Sequence, residues 1–347
     1  MRLLTTSLWK RGLVFSLLLC GVNAQSFAIH DYINSFHKLP VNIGVHFSNS
    51  AVGSVPVGVP GLKSDISAYK STVLPSEIRS PFKFIGGLMF VTVAINGITG
   101  LLLVDTGSNG FILLNSDYFK TEKTAERLKG MTSEVAMEKV SINNLTWQNL
   151  KLEKQYLPAV KLSQLNTGTP EKVLGLIGSA FFKSYQLSLN FASRELVLTK
   201  ESLADPVLKG VPALINIPFT LVNNFPVLEV KIAEKPYRFI MDTGATDNVM
   251  DLQLEPLVGN IWKQTQEVQM VEGSGKGAVV RRGQLQSMWV GGLNMQGIGM
   301  GLHAMPDFDQ KMGVSGILGF QFLKYFYVQI NYLENTMKFY DMAAILK

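Results

Sequence analysis

Two copies of the tripeptide Asp-Thr-Gly, each at the end of an apolar run, constrain this chain more than any other feature. They lie in residues 102–109 (LLVDTGSN) and 239–246 (FIMDTGAT). Apolar runs of this kind predict buried strands, and a glycine just after the strand allows the backbone to turn sharply. The pattern therefore predicts two carboxylates, Asp105 and Asp242, at the ends of two equivalent strands.

The surroundings of the two tripeptides also match. Residues 81–113 align with residues 218–250 without a gap at a shift of 137, and residues 175–198 align with residues 316–339 at a shift of 141. A fixed offset between similar segments is the signature of an internal duplication. The sequence therefore predicts two homologous units, residues 81–205 and 206–347.

Each unit pairs its Asp-Thr-Gly with a later glycine motif, GLIG at residues 175–178 and GILG at residues 316–319. This pairing resembles the aspartic proteases, both pepsin-like and retropepsin-like. The resemblance implies a mainly β chain with two homologous retropepsin-like β-barrel lobes in a pepsin-like bilobal arrangement. The active-site cleft would lie between the lobes, with Asp105 and Asp242 as the catalytic residues.

The resemblance also implies roles for the residues that follow each aspartate. Thr106 and Thr243 would form hydrogen bonds across the lobe interface, and Gly107 and Gly244 would offer backbone N–H groups to the carboxylates. In the GLIG and GILG motifs, Gly175 and Gly316 would leave room for close approach to a facing strand.

The next position differs between the two units, with Ser108 in the first and Ala245 in the second. A serine hydroxyl can donate to an ionised carboxylate and lower its pKa, whereas alanine cannot. On this argument Asp105 would be the more readily ionised partner and Asp242 would hold the shared proton.

Residues 270–285 (MVEGSGKGAVVRRGQL) resemble a retropepsin flap. The glycine-rich tip would absorb a closing movement, and a plain hairpin tip is the alternative. The tip residues are Gly273, Ser274, Gly275, Lys276 and Gly277.

Residues 1–24 have the features of a secretory signal peptide: a basic start, an apolar run and a small-residue cleavage site at residues 22–24. The apolar run is shorter than a membrane span needs, so an uncleaved anchor is the weaker alternative. Cleavage would remove the only cysteine, Cys20, and three basic residues, which lowers the formal net charge from +6 to +3. So small a charge does not favour a nucleic-acid partner.

Residues 25–80 have no counterpart in the second unit. They are predicted to be either a pro-segment or an N-terminal extension. Three of the four histidines, His30, His37 and His46, lie here at spacings that match no zinc template, so no metal or other cofactor is predicted.

The remaining pattern predicts local structure. Residues 82–95 and 101–104 would form a hairpin around an Asn96-Gly97 turn. Residues 116–130 are predicted to be helical, and residues 132–152 to be strand with a turn at residues 143–144. The segment 199–215, with two prolines, is the predicted interlobe connection.

Together these features predict an aspartic endopeptidase, periplasmic or secreted, acting as a monomer on polypeptide substrates through a water activated between Asp105 and Asp242. No membrane span is expected after leader cleavage. The alternative is a non-catalytic module that retains the bilobal cleft and captures extended peptides.

Overall fold

The computed structural model describes residues 13–14, 18–20, 74–129, 134–166, 169–202, 205–272, 277–305 and 312–345. Strands predominate in this part of the chain, which confirms the mainly β prediction. Four α-helices of a single turn are α1 (Ser179–Phe182), α2 (Glu255–Val258), α3 (Phe320–Leu323) and α4 (Met342–Ile345). The 3-10 turns are Ser116–Tyr118, Ser163–Asn166, Pro206–Leu208 and Leu252–Leu254. No helix among the described residues is long and apolar enough to cross a membrane.

The strands fall into an N-terminal pair and two lobes. The N-terminal segment contributes β1 (Leu13–Val14) and β2 (Leu18–Cys20). The first lobe contains β3 (Glu77–Ile85), β4 (Leu88–Ile95), β5 (Ile98–Asp105), β6 (Ile112–Asn115), β7 (Thr121–Lys129), β8 (Glu134–Trp147), β9 (Leu150–Val160), β10 (Val173–Gly178), β11 (Gln186–Asn190) and β12 (Glu195–Thr199). The second lobe contains β13 (Ile215–Pro218), β14 (Thr220–Val222), β15 (Phe225–Ile232), β16 (Lys235–Met241), β17 (Val249–Asp251), β18 (Trp262–Glu272), β19 (Gly277–Val290), β20 (Leu293–His303), β21 (Gly316–Leu318), β22 (Phe326–Asn331) and β23 (Thr336–Asp341).

Six strands, three from each lobe, join the lobes as one end of a 14-stranded sheet among the described residues. Their order is β3-β12-β11-β22-β23-β13. The central pair, β11 and β22, is antiparallel, with Leu187 opposite Ile330 and Ser188 opposite Gln329. Because β11 and β22 are equivalent strands of the two lobes, this pairing places a pseudo-twofold axis at the middle of the sheet.

A hairpin tip of each lobe also contacts the other lobe. In the first lobe, the Gly86-Gly87 turn between β3 and β4 reaches the second lobe, where a Cβ at Gly87 would lie 3.2 Å from the Thr246 methyl carbon. In the second lobe, the equivalent turn carries Asn224, whose amide donates to the Asn109 carbonyl oxygen at 3.0 Å. Each tip therefore contacts the residue four positions after the aspartate of the opposite lobe.

Each one-turn helix after a glycine motif inserts a phenylalanine into an aromatic cluster. Phe181 of α1 packs on Phe111 and Tyr185, with ring centroids 5.0 and 5.8 Å away. Its counterpart, Phe322 of α3, packs on Phe326 and Phe339 at 5.2 and 5.3 Å. Large buried rings of this kind contribute much of the apolar area that holds each lobe together.

Each lobe has a long hairpin after its aspartate loop. The first hairpin is β7–β8 and the second hairpin is β18–β19. The two strands of the N-terminal segment lie at the edges of these hairpins. Strand β1 is parallel to β7, and β2 is antiparallel to β18. Of the predicted flap tip, residues 273–277, only Gly277 is described, as the first residue of β19. Residues 273–276 and most of residues 1–80 lie outside the described residues.

The predicted helix over residues 116–130 is wrong. The structure has a 3-10 turn at Ser116–Tyr118 followed by β7, which pairs with β8. Among residues 121–128 of β7, whose side chains are described, most are exposed and only Leu128 is buried. The segment therefore carries no apolar periodicity that separates a helix from a strand. Pairing with β8 decides its conformation.

Two turns also differ from the predictions. Residues 143–144 lie within β8, where the Asn96 side-chain oxygen accepts from the Asn143 N–H at 2.8 Å, and the turn comes later, at Gln148 with φ of 52°. Residues 82–95 are split by Gly86-Gly87 into two strands. The Asn96-Gly97 turn is confirmed, with φ of 48° and 82°, as a type I′ hairpin requires.

Candidate active site

Asp105 and Asp242 lie at equivalent places in the two lobes. Asp105 is the last residue of β5, and Asp242 directly follows β16, where its N–H donates to the Leu318 carbonyl oxygen at 2.9 Å. Both side chains are fully buried. Burying an ionised carboxylate costs free energy unless the charge is shared or stabilised.

The threonines after the two aspartates bond to each other across the lobe interface. The Thr106 N–H donates to the Thr243 hydroxyl oxygen, and the Thr243 N–H donates to the Thr106 hydroxyl oxygen, both at 3.0 Å. Each hydroxyl then donates onward into the opposite lobe, Thr106 to the Met241 carbonyl at 2.7 Å and Thr243 to the Val104 carbonyl at 2.8 Å. This is the cross-lobe arrangement that the resemblance implies, and it fixes the two aspartate loops relative to each other.

The glycines of the two loops each lie against the aspartate of the other lobe. A Cβ built at Gly107 would be 2.1 Å from the carboxylate carbon of Asp242, and one built at Gly244 would be 2.5 Å from that of Asp105. No side chain fits at such distances. Because Gly107 and Gly244 have no Cβ atom, the two carboxylates can lie close together at the lobe interface.

The GLIG and GILG motifs support the loops from outside. Gly178 lies beside Asp105 in the parallel β5–β10 ladder, and a Cβ there would be 2.3 Å from the Gly110 carbonyl oxygen. At the equivalent Gly319, a Cβ would be 2.4 Å from the Asp247 carbonyl oxygen. The first glycines of the motifs are equally crowded, Gly175 by the Leu113 carbonyl oxygen at 2.1 Å and Gly316 by the Phe239 ring at 2.2 Å.

The electrostatics of the pair favour a shared proton. Burial raises the pKa of Asp105 well above its usual range, and the charge and side chain of Asp242 raise it further. The N–H groups of Gly107 and Ser108 act in the opposite direction. In the other loop, the Gly244 N–H donates to an Asp242 carboxylate oxygen at 2.8 Å. The two carboxylates therefore titrate as a coupled pair.

The hydrogen bond on which the expected division between the aspartates depends is not formed among the described residues. The Ser108 hydroxyl is buried and has no hydrogen-bond partner there, so it does not stabilise ionised Asp105. Ala245 is also fully buried and packs in a hydrophobic cluster of the second lobe. The difference between serine and alanine at this position therefore adds no side-chain donor to the carboxylate of Asp105.

Tyr332 is a further buried polar group near the pair. Its hydroxyl has no hydrogen-bond partner in the described part of the chain, and its ring packs on Phe182 and Phe219. Burial raises the pKa of Tyr332, and the charges of Asp105 and Asp242 raise it further. The phenol is therefore neutral wherever the aspartates are active.

One ion pair at the second aspartate loop, between Asp247 and Arg282, was not predicted from the sequence. Asp247 accepts from the Arg282 guanidinium, whose Nη2 lies 2.5 Å from its Oδ2. The only sequence signal is the adjacent pair Arg281-Arg282 in a strand, which must point to opposite faces. The partner of neither arginine can be identified from that pattern.

A cavity of about 420 Å³ lies away from the aspartates, on the interlobe sheet beneath the connection between the lobes. Its lining includes Gln186, Gln329 and Asn331 of the central strands. Asp105 and Asp242 are not part of this lining, so the cavity does not mark the candidate active site.

Comparison with known protein families gives a match within the second lobe. Residues 228–325, which span the second aspartate loop, second hairpin and GILG motif, match the family model described as "gag-polyprotein putative aspartyl protease". This part of the second lobe is therefore similar to aspartyl proteases. No curated protein matches the sequence significantly.

Solved structures similar to this chain include the aspartic proteinase from Irpex lacteus. It is 16% identical, with a TM-score of 0.43, and the match covers 76% of this chain and 97% of that one. The Basic 7S globulin from soybean is 10% identical, with a TM-score of 0.44, over 78% of this chain and 96% of that one.

Proposed function

We propose that this chain is an aspartic endopeptidase in which Asp105 and Asp242 together activate a water molecule. The observation that carries the proposal is the cross-packing of Gly107 and Gly244 against the opposite carboxylates, which puts two buried carboxylates in one site. Two such groups cannot both ionise easily, so they share a proton and titrate as a pair. In that state one carboxylate can serve as an acid while its partner serves as a base.

In the proposed reaction Asp105 starts protonated, and Asp242, which accepts the Gly244 N–H, starts ionised. Protonated Asp105 donates its proton to the oxygen of the scissile carbonyl, while ionised Asp242 takes a proton from the attacking water. The water oxygen bonds to the carbonyl carbon and forms a tetrahedral diol. The proton on Asp242 then passes to the amide nitrogen, the C–N bond breaks, and one diol hydroxyl returns a proton to Asp105. The products are a carboxylic acid and an amine, and both aspartates regain their starting states.

The surrounding structure supports this chemistry. Gly244 N–H stabilises the ionised form of Asp242, and the reciprocal threonine bonds keep both loops in place without a rearrangement during the reaction. No serine or cysteine nucleophile is required. Because one chain supplies both aspartates, the proposed active form is a monomer.

We also propose that the protein is exported from the cytoplasm. The leader features of residues 1–24 support export to a periplasm or to the outside of the cell, with removal of the leader. N-terminal sequencing of the protein recovered from the exporting cell tests this directly. A chain that still begins at Met1 and stays in the cytoplasm would contradict the location without touching the chemistry.

The decisive experiment is hydrolysis of an unfolded protein substrate between pH 3 and pH 7. We expect fragments with the wild type, and at least a hundredfold lower kcat with Asp105→Asn or Asp242→Asn, since loss of a general acid or base costs at least that much. Circular dichroism of both variants controls for folding. Tight binding of unfolded peptides without any cleavage by the wild type would instead support the non-catalytic peptide-binding module.

A further inference from the structure

The carboxylate of Asp247 lies five residues after Asp242 in the same loop, and it is held from two sides. Arg282 of β19 approaches one oxygen, with 2.5 Å between Nη2 and Oδ2, and the Thr246 hydroxyl donates to the same oxygen at 3.1 Å. The side chain of Asp247 is 10% exposed and that of Arg282 is 26% exposed. The ion pair is thus largely shielded from solvent, where charge pairing has more effect than at a surface.

The sheet makes this contact possible. Arg282 lies opposite Gly301 of β20, and Gly301 in turn lies opposite Val249 of β17. A Cβ at Gly301 would lie 2.9 Å from Cγ1 of Val280, the residue two positions before Arg282 on β19, so this part of β20 is closely packed. Arg282 reaches the loop that leads from Asp242 into β17. The Gly301 N–H also bonds to the Asn248 carbonyl of that loop at 2.8 Å.

The charges around Asp247 come from three elements. Arg282 approaches from β19, Lys324 lies just after α3, and Asp242 lies in the same loop. Lys324 is partly buried. Burial lowers its pKa, and the charge of Asp247 acts in the opposite direction. In the first lobe the equivalent position, at the shift of 137, is Gly110, so this arrangement is present in only one lobe.

We propose that Arg282 is a positioning residue for the second aspartate loop. Its ion pair with Asp247 ties that loop to the second hairpin and neutralises a carboxylate that would otherwise act on Asp242. The inference rests on the proposed peptidase function, because it assigns Arg282 an influence on the same aspartate pair.

The neighbouring arginine provides a matched control. Arg281 points to the opposite face of β19, where both of its terminal nitrogens lie 2.6 Å from the Glu255 carboxylate oxygens. Its guanidinium also lies over the Trp262 ring, 5.9 Å from the centroid. Arg281 therefore makes a comparable ion pair on the same strand, but with α2 rather than with the aspartate loop.

The test compares kcat, KM and the pH profile of Arg282→Gln, Arg282→Lys, Asp247→Asn, the Arg282→Gln/Asp247→Asn double variant and Arg281→Gln. For Arg282→Gln we expect about a tenfold fall in kcat with little change in KM, since a small displacement of a catalytic group is enough for such a loss. The unpaired negative charge of Asp247 should also shift both limbs of the pH profile upward, because a like charge disfavours ionisation of the aspartate pair.

The other variants separate charge from structure. Arg282→Lys should have most of the wild-type kcat, and both limbs of its pH profile should lie at the wild-type positions. The double variant should return the limbs to their wild-type positions and show a smaller loss than the sum of the singles. Arg281→Gln should have the same kcat per folded molecule as the wild type, and both limbs of its pH profile should lie at the wild-type positions.

Three results would overturn the inference. One is unchanged kcat in Arg282→Gln, another is a rise in KM alone, which would mean that Arg282 contacts substrate, and the third is an equal loss in Arg281→Gln. If the wild type cleaves nothing, the peptidase proposal fails by itself, and hydrogen exchange then tests the positioning role. Backbone amides of residues 242–251 should exchange faster in Arg282→Gln than in the wild type or Arg281→Gln, and equal rates would refute it.

Discussion

Thr106 and Thr243 hold the two lobes together through a closed exchange of hydrogen bonds, in which the N–H of each donates to the hydroxyl oxygen of the other at 3.0 Å. Each hydroxyl also donates to a carbonyl of the opposite lobe, Thr106 to Met241 and Thr243 to Val104. All of these groups are buried, so each is satisfied only while the lobes stay in register. The geometry of the aspartate pair and the stability of the lobe interface therefore depend on the same four bonds.

Removing one hydroxyl should destabilise the fold. Thr106→Val keeps the shape of the side chain but leaves the Met241 carbonyl and the Thr243 N–H without their partner, at a cost of about 2 kcal/mol or more in the free energy of unfolding. Urea unfolding monitored by tryptophan fluorescence measures this. Thr106→Ser retains the hydroxyl and is the control; equal midpoints for the two variants would show that the exchange contributes nothing.

A methyl group at Gly107 should abolish activity. In Gly107→Ala the new Cβ would lie 2.1 Å from the Asp242 carboxylate carbon, so the carboxylate or the loop must move. We expect at least a hundredfold loss of kcat, since displacement of a catalytic group by about an ångström costs that much. Gly299→Ala is the matched control, because a Cβ there meets no atom within 4 Å. Comparable activity of the two alanine variants would contradict the close approach.

The Ser108 hydroxyl should have little influence on the pH dependence of hydrolysis. It has no hydrogen-bond partner in the described structure, whereas the Gly244 N–H bonds directly to Asp242. Ser108→Ala should therefore leave the acid limb of the kcat/KM profile within about 0.3 pH unit of the wild type, far less than the shift expected from loss of a hydrogen bond to a carboxylate. A clear upward movement of that limb would restore the hydroxyl as a donor to ionised Asp105.

The sequence predicted those parts of the site that depend on local pattern and repetition. The two aspartates, the adjoining threonines and the glycines were all identified because each occurs twice, in matching surroundings. The same duplication predicted the two lobes, although not the sheet that joins them through Leu187 and Ile330, which pairs strands that are far apart along the chain.

Features that depend on tertiary contacts could not be predicted in this way. Residues 121–129 became a strand because β8 lies beside them, not because of their own periodicity. The raised pKa of Asp105 arises from burial and from the charge of Asp242. The ion pair of Arg282 with Asp247 joins residues on different strands, and no local motif marks it.

The raised pKa of Asp105 has a consequence for stability that is independent of turnover. A buried acid with a raised pKa holds its proton in the folded state at pH values where the unfolded chain has released it. Over that interval the folded state binds more protons than the unfolded state, so the free energy of unfolding falls as pH rises. The decline begins near the ordinary aspartate pKa of about 3.9 and ends at the higher pKa of folded Asp105.

Asp105→Asn should remove this decline, because the amide is neutral at every pH. We expect the variant to unfold at a higher urea concentration than the wild type at pH 7, and the two midpoints to converge as the pH falls toward 4. Glu153→Gln removes an exposed carboxylate elsewhere in the first lobe and should follow the wild type across the same range. If Asp105→Asn is no more stable than the wild type at pH 7, the carboxylate is ionised at little cost in the folded state. The assignment of the proton to Asp105, and with it the proposed order of proton transfers, would then be wrong.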